Sequence, residues 1–128
     1  MGTAGFDKLL AWQQARALTR DIYSVTRSET FDDDRELARL LRRASTSIMT
    51  SIAEGHGRHN HAEFCAHLAT TCAASAATRS YVYIAWDAGY LTESAAKRLL
   101  EQTESVGALT DGLRIAMSDR ATRDTLHG

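Results

Sequence analysis

Not one of the chain's 128 residues is proline. Inside a helix proline removes a backbone donor and clashes with the preceding turn, at a cost of about 3 kcal/mol. A chain without it is free to build long helices, and its apolar residues are spaced for them. Ala11, Ala15, Leu18, Ile22 and Val25 alternate spacings of four and three, the rhythm of a bundle seam. Leu37, Leu40, Leu41, Ala44, Ile48 and Ile52 fall within one broad face at 100° per residue. A third stretch sets Phe64, Leu68, Cys72, Ser75, Val82 and Trp86 on one side, flanked by Cys65 and Tyr83, and Ala69 to Ala77 is almost all small, so a neighbouring helix can approach closely. The four-three rhythm returns at Ala95, Leu99, Gln102, Val106, Leu109, Leu113 and Ala116.

The breaks between these stretches have their own chemistry. Asp33 with Glu36 and Asn60 with Glu63 have the spacing of capping boxes, and Thr92 can start the last helix. Gly55 and Gly57 suit a helix end that needs positive φ, as does Gly89. The spacing predicts helices over about 6–28, 34–54, 61–88 and 93–118, with fraying after Ser118. Short connections between helices of this length force antiparallel neighbours. The expected fold is therefore a single all-α domain, an up-down-up-down antiparallel four-helix bundle. A composition of 44% hydrophobic and 24% charged residues excludes disorder, and no uncharged apolar run is long enough to span a membrane. With no secretory leader pattern, the expected home is the cytoplasm.

Net charge is -1, so attraction to a polyanion has to come from a local patch. One exists: Arg35, Arg39, Arg42 and Arg43 project within about 100° of each other, almost opposite the leucine and isoleucine face of their helix. Three readings of this face stand open: a solvated surface with i,i+4 partners, a subunit interface suited to the planar guanidinium, or contacts to nucleic-acid phosphates.

The run Leu41-Arg42-Arg43-Ala44-Ser45-Thr46-Ser47-Ile48, then Ile52-Ala53-Glu54-Gly55-His56-Gly57-Arg58, resembles the signature of the four-helix-bundle proteins encoded within 23S rRNA intervening sequences. Phe6, Leu9, Trp12-Gln13, Ile22-Tyr23 and Gly89-Tyr90-Leu91 extend the likeness over most of the chain. The resemblance implies a bacterial, cytosolic bundle that assembles as a homo-oligomer, a ring of five, with relatives that serve retroelements as accessory proteins. It differs where that family usually has a proline and an asparagine, here Met49 and Ser51, and Ala73-Ala74 and Ala77-Thr78-Arg79 stand where a Gly-Ser pair and Glu-Leu-Glu are usual.

Ile52, Ala53, Glu54, Gly55, Gly57 and Arg58 are read as a structural motif. Glu54 opposes the macrodipole in the last turn of its helix, which calls for a cation: Arg58 across the turn or Arg79 on the third helix. Arg58 also joins the four arginines as a candidate for nucleic-acid or interface contacts. His56, His59 and His61, with Glu63 and Cys65 beyond, fit no common zinc spacing; they read as a solvated turn, with a metal as the alternative. Cys65 and Cys72 sit about 10.5 Å apart along one helix, too far for a disulfide, and read as small buried apolar groups. Trp12, Tyr23, Tyr83 and Trp86 read as core or interface anchors, with base stacking as the alternative. No phosphate loop, nucleophile elbow or paired acid is present, so the expectation is a non-enzymatic protein without cofactor that binds or scaffolds. Its partners are further copies of itself and RNA or a nucleic-acid-binding protein; the alternative is a protein-interaction scaffold that binds no nucleic acid.

Overall fold

A computed structural model describes residues 5–127. Helix α1 is Leu10–Thr26, α2 Arg35–Gly57, α3 His61–Asp87 and α4 Glu93–His127, with short 3₁₀ turns at Phe6–Lys8 and Glu29–Phe31. Each helix packs on its neighbours in chain order, and α4 returns to α1. Both ends confirm the up-down-up-down course. The Thr30 hydroxyl donates to the Tyr90 carbonyl at 2.8 Å, so the α1–α2 and α3–α4 connections meet at one end. At the other, His61 at the start of α3 meets Asp124 near the end of α4 at 2.7 Å. No described helix is long and apolar enough to cross a membrane.

The caps explain where the helices begin. Asp34, rather than Asp33, caps α2 by accepting from the Leu37 N–H at 2.9 Å. Asn60 accepts from Glu63 N–H at 2.9 Å and Thr92 from Ala95 N–H at 3.1 Å, both as expected. In the first turn of α4 the Glu93 carboxyl is held below its ordinary value, and the Lys97 ammonium above its own, because the two hydrogen-bond to and attract each other one turn apart.

Three boundaries depart from expectation, the first being that α1 starts at Leu10, after a separate 3₁₀ turn, and not near residue 6. Helix α2 runs through Gly55 to Gly57, and neither glycine takes positive φ; among the described residues the left-handed ones are His59, at φ 51°, and Gly89, at φ 83°. Gly55 answers a different demand. A Cβ there would lie 2.6 Å from the His67 Cβ and 2.8 Å from the Phe64 Cδ1, so the missing side chain lets α2 and α3 close on each other. Helix α4 does not end near Ser118 but continues to His127, with Met117 buried and Asp124 paired to His61.

The core joins Leu18, Ile22, Leu41, Ile48, Ile52, Leu68, Val82, Leu99 and Val106, all fully buried, with Phe31 closing the end where the first and third connections meet. Phe31 packs against Tyr90, ring centroids 5.4 Å apart. The α3 and α4 seams are rotated from the expected ones. Thr71, Thr78 and Ala85 turn inward on α3 in place of Cys72 and Trp86, and Ala96, Leu100, Thr103, Thr110 and Met117 do so on α4. Ala95, Gln102, Leu109, Leu113 and Ala116 are only half buried. On α1 Thr26 replaces Val25 as the last buried position.

Candidate nucleic-acid interface

The first turns of α2, freed from the core by the leucine face behind them, present their arginines beside the C-terminal half of α1. Arg35, Arg39, Arg42 and Arg43 line one open groove of about 790 Å³ together with Tyr23, Glu36, Ala38 and Thr46. Four guanidiniums thus share a surface with Glu36 in its lining and Asp32 beside Arg35. Of the sequence-derived candidates, these four come together. Arg58, at the C-cap of α2, is about 24 Å along the helix axis from Arg42 and belongs to the other end of the molecule.

The four arginines are held differently. Arg42 is anchored: its Nε donates to the Thr26 Oγ at 2.8 Å, and its guanidinium lies over the Tyr23 ring, 4.7 Å from the centroid. Thr26 is fully buried and its hydroxyl in turn donates to the Ile22 carbonyl at 2.7 Å, so its position is fixed. Arg35 faces Asp32 at 3.6 Å and Arg39 is hydrogen-bonded to Glu36, both exposed pairs three residues apart. Such pairs contribute only about 0.3–0.5 kcal/mol and are screened by salt, so an incoming polyanion can displace them. Arg42 is half buried and Arg43 exposed, and among the described residues neither has a carboxylate partner within ion-pair distance.

Tyr23 lines the groove and the buried Thr26 holds Arg42 from behind, and neither is legible in the sequence as part of the arginine site. They lie three apart on α1, on the face beside the apolar seam, which is the only local signal they give. Their meeting with Arg42 depends on the α1–α2 crossing, which no local pattern encodes. Tyr23 is 37% exposed and lines the groove instead of anchoring the core.

The Ile-Ala-Glu-Gly-x-Gly-Arg stretch is divided by the fold. Ile52 is fully buried, Ala53 half buried, and Glu54, Gly57 and Arg58 exposed. Among the described residues Glu54 forms no ion pair. The expected partner Arg79 is engaged elsewhere: it donates to the Leu100 carbonyl at 3.0 Å and the Thr103 hydroxyl at 3.4 Å, and lies over the Tyr83 ring. An exposed carboxylate keeps its water, so no cation is required.

The three histidines are not convergent. His56 packs edge-on against Phe64 with His59 beside it, centroids 6.0 and 6.2 Å away, while His61 turns to Asp124. Among the described residues no group of three or more His, Cys, Asp or Glu side chains is placed to hold one ion. Both cysteines are free thiols and half buried, the Cys65 Sγ 3.6 Å from the Arg114 carbonyl and the Cys72 Sγ 3.7 Å from the Thr110 hydroxyl. Arg114 is the one arginine with a clear shift in basicity, raised by its hydrogen bonds to Asp111.

Fold and groove together define a class: an antiparallel four-helix bundle whose second helix carries a cationic surface groove. Residues 7–112 match the model of the family described as 23S rRNA-intervening sequence protein. The chain belongs to this family. The match covers the signature stretch, all four groove arginines and the first turns of α4, and stops short of that helix's C-terminal end. No curated protein matches the chain.

Proposed function

We propose that the protein is a non-enzymatic, homo-oligomeric binding module whose α1–α2 groove engages the phosphates of RNA or of a ribonucleoprotein. The observation that carries this reading is the groove itself: Arg35, Arg39, Arg42 and Arg43 share it against two exposed carboxylates, Glu36 and Asp32, although the whole chain carries no excess of positive charge. Anchoring by Thr26 and Tyr23 holds Arg42 in place before any ligand arrives, which lowers the ordering cost of a contact. Membership of a family named for intervening sequences of ribosomal RNA adds support.

The test is Arg39→Glu with Arg43→Glu, two positions outside the hydrophobic core. Fluorescence anisotropy across a salt series reads binding to a structured RNA. The wild-type protein should bind with an affinity that falls steeply with salt, and the double variant should lose most of that binding and of the slope. An unchanged affinity in a folded variant overturns the reading.

Self-association rests on a separate surface. Leu9, Leu10, Ala11, Leu109, Leu113 and Ala116 form a shallow apolar groove between α1 and α4, with Leu10 55% exposed and Ile115, on α4, 49% exposed. Such surface favours burial against a copy of the chain. A ring of five is the assembly that the resemblance implies, and sedimentation equilibrium should return that mass; a monomer at micromolar concentration overturns it.

A further inference from the structure

The groove holds more than cations. Tyr23 is an aromatic side chain with more than a third of its surface open, and it stands in the same groove as four guanidiniums. Its ring carries the Arg42 guanidinium over one face, and that guanidinium is fixed by the buried Thr26 hydroxyl. Tyr23 and Arg42 therefore form a fixed pair, an aromatic ring and a delocalised cation, both of which accept a nucleobase as a stacking partner. Arg35, Arg39 and Arg43 surround that pair, spread over about 12 Å of α2.

A duplex offers such a site its phosphates but keeps its bases stacked on each other. A single strand offers both, because its bases turn out of the chain at little cost. From this juxtaposition we propose that the groove takes a single-stranded segment of nucleic acid, one base stacked on the Tyr23–Arg42 pair and the flanking phosphates on Arg35, Arg39 and Arg43. The proposal rests on the phosphate-binding reading above and adds the strand form and the base platform. The exposed side chain of Tyr83 beside Arg79 lacks the same setting, since its surroundings bring one guanidinium and not four.

The experiment compares a fluorescein-labelled oligoadenylate, in ribose and deoxyribose forms, with the same strand annealed to its complement, by anisotropy at several salt concentrations. It uses the full-length protein, Tyr23→Leu, Tyr23→Phe and Arg39→Gln with Arg43→Gln. The single strands should bind more tightly than the duplexes. Tyr23→Leu should weaken single-strand binding by roughly 5- to 150-fold with the salt slope unchanged, and Tyr23→Phe should retain the affinity. The arginine variant should instead lower the slope, by roughly 0.7 for each phosphate no longer neutralised. As a readout that needs no variant, 2-aminopurine within the strand should change its emission on binding as it stacks.

Equal affinity for single strand and duplex, with no effect of Tyr23→Leu, overturns the base platform while leaving the phosphate reading in place. A rise in anisotropy without any change in 2-aminopurine emission has the same meaning. Absence of binding in every form at low salt overturns both.

Discussion

Gly55 and His59 divide between them what a single glycine usually does at a helix end. Gly55 stays in αR conformation and is needed for space: a methyl group there meets the His67 Cβ at 2.6 Å, and neither backbone can yield without separating α2 from α3. His59 takes the left-handed conformation, at φ 51°, which disfavours a Cβ. Gly55→Ala should therefore destabilise the protein by about 1–3 kcal/mol, although alanine in a free helix gains up to about 1 kcal/mol over glycine. His59→Gly should stabilise it by up to about 1 kcal/mol. Urea unfolding followed by circular dichroism checks both, and a stabilised Gly55→Ala variant would mean that the helices do not touch there. Glycines 55 and 57 are legible in the sequence as a break in the pattern, but the reason for Gly55 is not, because it lies in Phe64 and His67 on another helix.

At the scale of elements, α3 shows how polar side chains are buried without being destabilising. Thr71 and Thr78 are fully buried, and their hydroxyls donate to carbonyls one turn back in their own helix, of His67 at 3.0 Å and Ala74 at 2.8 Å. Those carbonyls already accept helical N–H groups, so removing the hydroxyls leaves no orphan. Valine at both positions keeps the shape and should change stability by less than about 1 kcal/mol. Thr26→Val is chemically the same substitution with the opposite result, because the Thr26 oxygen accepts from the Arg42 Nε. It should cost about 1.5–3 kcal/mol and loosen the groove. Thermal melts of the three valine variants read the contrast, and equal losses would show that Arg42 finds another partner. The rotation of α3 also explains why its apolar stripe is misleading in the sequence. Small side chains let a neighbour approach closely, and threonine satisfied by its own backbone enters a core that hydrophobic periodicity assigns to cysteine and tryptophan.

For the whole molecule, the connection after α1 does more than join helices. Phe31, in the turn Glu29–Phe31, is fully buried against Tyr90 of the α3–α4 connection, and Thr30 donates to the Tyr90 carbonyl beside it. The two connections thus clamp one end of the bundle, the end towards which the arginine groove lies. Phe31→Ala should destabilise the protein by about 3–5 kcal/mol, a large part of the 5–15 kcal/mol typical of a domain. Chemical denaturation measures it; a loss below about 1 kcal/mol would show that the end is held by the helices alone. Phe31 escapes a reading by periodicity since it belongs to no amphipathic stripe.

The sequence by itself determined the number of helices, their antiparallel course, the caps at Asn60 and Thr92, and the segregation of four arginines from the leucine face of α2, because each follows from spacing along one chain segment. Only the tertiary structure decided which side of α3 and α4 is buried, why Gly55 has no side chain, how far α4 extends, and that Tyr23 lines the arginine groove while the buried Thr26 anchors Arg42. These depend on distances between helices, set by how closely small and hydroxyl-bearing side chains allow two backbones to approach, and no periodicity within a single helix carries that distance.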